Sequence, residues 1–141
     1  MQPAAITPPM RLLITERQQS SRDALMSLLR TTDGFEFIGA VPPELAIQQA
    51  VIRRATVVLL DVLKPHAASA ALCQALCALS PRPIVIALTS FAEPEEEQAL
   101  RAAGADGYLL KEVSFKKLID TVTLIFVRHH AGSVHGLPNN T

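Results

Sequence analysis

The sequence predicts a doubly wound α/β fold with a five-stranded parallel sheet, and three observations carry that prediction. The first is Val57-Val58-Leu59-Leu60-Asp61, four consecutive apolar residues that end on a carboxylate. A strand with no polar position has no wet face, so it belongs inside a parallel sheet covered by helices on both sides. The second is a sister run, Ile84-Val85-Ile86-Ala87-Leu88, which ends on Thr89 and Ser90. The third is the alternation of short apolar runs with helical stretches, without long connections, as in repeated βα units. Such sheets bind ligands in the crevice outside the carboxyl ends of their strands. In strand order 2-1-3-4-5, Glu16, Arg17, Asp61, Thr89 and Lys111 converge on that edge.

Each element has its own local reason. Met1 to Pro9 carries three prolines and reads as a disordered leader. Arg11 to Thr15 is the first strand, finished by Glu16 and Arg17. Ser20 or Ser21 can cap a helix running through Thr32, with Ala24, Leu25, Leu28 and Leu29 at core spacing. Asp33-Gly34 is a turn. Phe35 to Ala40 alternates Phe35 and Phe37 with Glu36, as expected nearer a sheet edge. Pro42-Pro43 opens a helix to Arg53 or Arg54, since the first turn has no hydrogen bond for a proline to break. After the central strand, Lys64-Pro65-His66 form a loop, and Ala67 to Leu79 is an Ala- and Leu-rich helix. Pro94 starts a helix with Glu95, Glu96 and Glu97 in its first turn, where carboxylates complement the dipole, and Gly104 stops it. Gly107 to Leu110 is the fifth strand, ended by Lys111. Ser114 caps the last helix, whose Leu118, Ile119, Val122, Ile125 and Phe126 form an apolar stripe. The domain is expected over 10–127, with 128–141 as a flexible tail or linker.

Composition bounds the function. A chain of 141 residues holds one domain with a real core. Thirteen basic and thirteen acidic residues give a formal net charge of zero. That leaves no electrostatic footprint for direct nucleic-acid or anionic-membrane binding. No apolar run approaches the ~20 residues of a membrane span, and Met1 to Pro9 lacks the features of a secretory signal. A cytoplasmic location is expected. Cys73 and Cys77 read as a reduced, buried pair. His66 is expected to face solvent, and His129, His130 and His135 to lie in a solvated linker. There is no glycine-rich phosphate loop and no Gly-x-Ser-x-Gly or Cys/His arrangement for acyl transfer.

At the predicted edge, the carboxylates of Glu16 and Asp61 stand beside Lys111 and Thr89. Such a set suits Mg²⁺, which takes oxygen ligands. It equally suits a phosphoryl group, whose transfer needs positioning and charge neutralisation. Asp61 would be the nucleophile.

Three pieces in order carry a family resemblance: Val57-Val58-Leu59-Leu60-Asp61 with Pro65 four residues on; Ile86-Ala87-Leu88-Thr89-Ser90; and Ala103-Gly104-Ala105-Asp106-Gly107-Tyr108-Leu109-Leu110-Lys111. Over about Arg11 to Val127 the chain resembles the CheY-like receiver domains of bacterial two-component response regulators, in particular those preceding NarL/FixJ-type DNA-binding domains. The resemblance implies the flavodoxin-like receiver fold. It implies that Asp61 accepts a phosphoryl group from a sensor histidine kinase or phosphotransfer protein, that Thr89 and Tyr108 switch, and that Lys111 pairs with the phosphate. The surface of helix four, strand five and helix five would read this out by homodimerisation or partner binding. The protein would be a phosphoacceptor switch with self-catalysed phosphoryl transfer and hydrolysis at most, and not an independent enzyme.

The departures are as specific as the matches. The implied Mg²⁺ site consists of Glu16, Asp61 and the Leu63 backbone carbonyl, and Arg17 stands where the family has its second acid. A positive charge about 5 Å from a divalent ion repels it by roughly 6 kcal/mol at an effective dielectric of about 20. A millimolar metal site is worth only about 4 kcal/mol. Mg²⁺ binding is therefore expected to be weakened, with the Arg17 guanidinium forking onto Asp61 as a built-in counter-ion. These departures keep a second function open: a phosphorylation-independent pseudo-receiver acting as an interaction or dimerisation module.

Overall fold

The structure is a computed structural model and describes residues 9–30, 34–111 and 114–135. The elements are β1 (Arg11–Thr15), α1 (Gln19–Leu29), β2 (Glu36–Val41), a 3₁₀ turn (Pro43–Leu45) leading into α2 (Ala46–Ile52), β3 (Val57–Asp61), α3 (His66–Cys77), β4 (Ile84–Thr89), α4 (Pro94–Ala102), β5 (Gly107–Leu110) and α5 (Phe115–His135). All strand pairs are parallel, in the order β2-β1-β3-β4-β5. The predicted doubly wound sheet is thus the observed one.

The all-apolar runs explain the order. β3 and β4 are buried at every position, which is tolerable only for strands with neighbours on both sides and helices on both faces. Side chains alternate across a strand, so the sheet feeds two cores. On one face Leu12, Ile14, Leu59 and Ile86 pack with Leu29 of α1 and Leu118, Val122 and Phe126 of α5. On the other, Leu13, Val58, Leu60 and Val85 pack with Ala50, Cys73, Leu76 and Leu100 of α2, α3 and α4. Gly104 stops α4 as expected. Its φ is +112°, and a Cβ there would sit 2.7 Å from Cys77 Sγ, so only glycine fits between α4 and α3.

Several boundaries move for local reasons. α1 starts at Gln19, and its N-cap residue Gln18 makes no side-chain cap; Ser20 and Ser21 lie inside the first turn. The Glu16 carboxylate instead accepts from the Gln18 N–H at 3.1 Å. The expected end of this helix at Thr32, and Asp33, fall outside the described residues, as do Met1 to Pro8. β2 is shifted one residue on, and its register with β1 slips between Leu12 and Leu13. α3 begins at His66, which is half-buried rather than in an exposed loop. The largest change is in α5, which runs to His135, so 128–135, expected as a flexible tail, is helical. The His130 ring packs on Phe126 with centroids 4.3 Å apart and Nδ1 3.0 Å from the Phe126 carbonyl oxygen, extending the stripe by one turn. Cys73 and Cys77 are free thiols. Burial and the neighbouring Cys77 push Cys73 up to about 12, which leaves it an inert core residue. No described helix is long and apolar enough to cross a membrane.

Candidate functional site

β3 delivers Asp61 to the carboxyl edge with 6% of its surface exposed. Its backbone N–H donates to Thr15 Oγ1 at 3.0 Å, fixing the end of β3 against β1. Lys111, the first residue after β5, donates from Nζ to Asp61 Oδ1 at 2.6 Å, and its own N–H donates to the Thr89 carbonyl. Burial raises the Asp61 pKa above the usual carboxylate value; the Lys111 hydrogen bond and charge work against this, Glu16 adds to it, and Arg17 lowers it least. An apolar environment makes the charged form costly, and one cation offsets the cost in part. A cavity of about 430 Å³ opens beside Asp61, between α1 and α5, lined by Glu16, Leu25, Asp61, Lys111 and Phe115. A larger one of about 610 Å³ lies by Thr56 and Ile84 at the opposite end of the strands and has no carboxylate in its lining; of the two, the smaller holds the expected residues Glu16, Asp61 and Lys111.

The other expected residues are placed less as the sequence suggested. Glu16 reaches the edge, but its carboxylate is turned to the Gln18 N–H. Arg17 is exposed, and its guanidinium makes no hydrogen bond or ion pair among the described residues. The expected fork onto Asp61 is therefore not made: Lys111 takes one oxygen of that carboxylate, and the long arginine side chain carries its charged head into solvent. Leu63 lies in the β3–α3 loop, where its N–H donates to the buried Ser69 hydroxyl at 3.0 Å.

Thr89 and Tyr108 converge, but on a residue other than Asp61. The Thr89 hydroxyl, 2% exposed, lies 2.7 Å from Glu96 Oε1 and 3.0 Å from the Phe91 carbonyl. The Tyr108 hydroxyl donates to Glu96 Oε1 at 2.6 Å and accepts from the Glu93 N–H at 3.0 Å. Lys64 Nζ donates to Glu96 Oε2 at 2.9 Å and Glu93 Oε1 at 2.7 Å. Glu96 itself is fully buried. Burial alone would raise its pKa, but the hydrogen bonds from Tyr108, Lys64 and Thr89 outweigh it and the net shift is downward. Lys64, between two carboxylates, is correspondingly raised.

Glu96, Lys64, Thr15 and Ser69 are the site residues that sequence reasoning missed. Only Glu96 had a signal: it stands four residues before Leu100, on the inward face of α4.

This geometry defines a class: a parallel α/β domain with a buried, lysine-paired aspartate at the carboxyl edge and a threonine and an aromatic on the two following strands. The sequence model of the response regulator receiver domain family matches residues 12–123. The chain belongs to that family. It is 31% identical over 121 residues to the transcriptional regulatory protein PdtaR of Mycobacterium tuberculosis, covering 85% of this chain and 58% of that protein. It is 30% identical over 117 residues to the sensory transduction protein RegX3 of Mycobacterium bovis, covering 83% of this chain and 51% of that one. The chain thus spans little more than half the length of these relatives. Among solved structures, a CheY-like receiver domain protein from Methanospirillum hungatei matches with TM-score 0.75 and 21% identity over 88% of this chain and 98% of that one. The signal receiver domain of NarL from Mycobacterium tuberculosis matches with TM-score 0.73 and 18% identity over 84% and 96%. These two likenesses bear on the fold.

Receiver domains generally bind Mg²⁺ at an acidic site. Here no three His, Cys, Asp or Glu side chains gather among the described residues. Asp61 Oδ1 is held by Lys111, Glu16 by backbone, and the position beside Glu16 is a cation. The donor set does not fit a resident Mg²⁺.

Proposed function

We propose that this domain is a phosphoacceptor switch in a two-component pathway, taking a phosphoryl group on Asp61 from a histidine kinase or phosphotransfer protein. The observation that carries this reading is the buried Asp61 carboxylate held at 2.6 Å by Lys111. A carboxylate oxygen attacks phosphorus as the N–P bond of a phosphohistidine breaks and the departing imidazole takes a proton. Lys111 meets the charge of the resulting acyl phosphate. The output surface is α4, β5 and α5, read by a partner or a second copy, and gene regulation in the cytoplasm is the output in keeping with the relative named a transcriptional regulator.

Acetyl phosphate followed by mass spectrometry of wild type and Asp61→Asn tests the reading. The wild type is expected to gain one phosphoryl mass and the variant none; an equal gain in both rules Asp61 out. Arg17 and the poor metal donor set favour a second reading, the pseudo-receiver, which predicts no gain in either protein. Arg17→Asp, which replaces an exposed cation by an acid, is expected to tighten Mg²⁺ binding at least about tenfold, solvent screening keeping the repulsion of the exposed guanidinium well below its close-range value. Equal Mg²⁺ affinity in wild type and variant removes Arg17 from the account.

A further inference from the structure

Thr89 and Tyr108 stand on neighbouring strands, and the expected partner for the threonine is whatever sits on Asp61. Their hydroxyls instead share one oxygen, Glu96 Oε1, at 2.7 and 2.6 Å. A threonine hydroxyl has a single proton. In this arrangement it faces Glu96 or the Phe91 carbonyl, both on the α4 side. A carboxylate with no exposed surface persists as an anion only when donors meet it. Here Thr89, Tyr108 and Lys64 do so, the last on the other oxygen. Glu96 also lies in the first turn of α4, where the helix dipole favours negative charge.

We propose that Glu96 is the positioning residue of the switch: its carboxylate, steadied by Lys64, is the resting acceptor for Thr89 and Tyr108, and a phosphoryl group on Asp61 recruits Thr89 only by competing with it. The anchoring of the two hydroxyls stands on the geometry alone; the competition rests on the phosphoacceptor reading. The switch then has an anion at each end of the Thr89 swing, and Lys64 sets the balance from a loop adjoining Asp61. Lys64 follows Asp61 by three residues, so displacement of the β3–α3 loop by a phosphoryl group would loosen the Glu96 anchor from the same side. The charged or titratable groups facing Glu96 among the described residues are Lys64 and Glu93 from the two loops and Tyr108 from β5.

The chain contains one tyrosine and no tryptophan, so its intrinsic emission reports Tyr108 alone. A phenol bonded to a carboxylate emits weakly, and protonating that carboxylate restores emission. Emission is followed from pH 7 to pH 3 in wild type, Glu96→Gln and Lys64→Met, with circular dichroism recording helix content. The wild type is expected to show one rise below the ordinary glutamate range, Glu96→Gln to lack it, and Lys64→Met to shift it to higher pH. The Lys64 variant keeps the test valid if Glu96→Gln does not fold. A wild-type emission profile in both variants overturns the proposal. The phosphorylated fraction at fixed acetyl phosphate is expected to rise roughly threefold to tenfold in Glu96→Gln, the worth of one hydrogen bond. An unchanged fraction with phosphorylated wild type overturns the competition. No mass gain in any protein, with the emission pattern as expected, overturns the phosphoacceptor reading and supports the anchor.

Discussion

Asp61 and Glu96 are two buried carboxylates in one small domain, and their surroundings are opposite. Asp61 ends a strand, has one cation on one oxygen, and is pushed up by burial. Glu96 sits in the first turn of a helix, has donors on both oxygens, and is pulled down despite burial. The difference teaches that burial alone does not decide a carboxylate's role; the count of donors does. An under-satisfied carboxylate retains a lone pair for chemistry and costs stability. A fully satisfied one holds other groups still.

The comparison is broken most severely by deleting the better-satisfied partner. Glu96→Leu leaves the Tyr108 hydroxyl without its acceptor, Lys64 with Glu93 alone and Thr89 with only the Phe91 carbonyl, and urea unfolding is expected to show a loss of about 2 kcal/mol. Asp61→Asn goes the other way. Folding raises the Asp61 pKa, so its ionised form is disfavoured in the folded state, and urea unfolding at pH 7 is expected to show the neutral amide more stable than the wild type. A loss of stability in Asp61→Asn would mean that Lys111 over-compensates the burial.

Acid sharpens the same contrast. The stabilisation from Glu96, whose pKa is lowered, is present above its unfolded value of 4.5 and is lost as pH falls through the lower folded value. The contribution of Asp61, whose pKa is raised, is fully present below 3.8 and is lost as pH rises through the higher folded value. Urea unfolding at stepwise lower pH is therefore expected to show the gap between wild type and Asp61→Asn closing first, above pH 3.8. The gap between wild type and Glu96→Leu closes only below pH 4.5. The smallest effect is at Arg17: exposed and unpaired among the described residues, its replacement by Asp is expected to move stability by less than about 0.5 kcal/mol, while acting on Mg²⁺.

Much of the frame was legible. β3 and β4 announce themselves as apolar runs without a polar position, and a residue that ends such a run must lie at the sheet's edge. That places Asp61, Thr89 and Lys111 on one side before any contact is known. Glu96 was read as one of three dipole-complementing acids of α4, although its spacing to Leu100 marked the inward face. Lys64 and Thr15 gave no signal, because their partners lie 32 and 46 residues away in sequence. Arg17 was misjudged because nearness to the edge says nothing about which way a long side chain turns.

By itself, then, the sequence determined the five βα units, their parallel order and the place of Asp61 at the carboxyl end of the central strand, since these follow from local periodicity and from the rule that strand ends form the crevice. Lys111 at the end of β5 was legible as the ion-pair partner of Asp61, whereas tertiary structure alone decided which hydroxyl meets which carboxylate, that Arg17 does not join that pair, and that α5 continues past Val127. Those outcomes depend on differences of a few ångströms between competing donors at one carboxylate, and hydrogen bonds and ion pairs are settled at that distance.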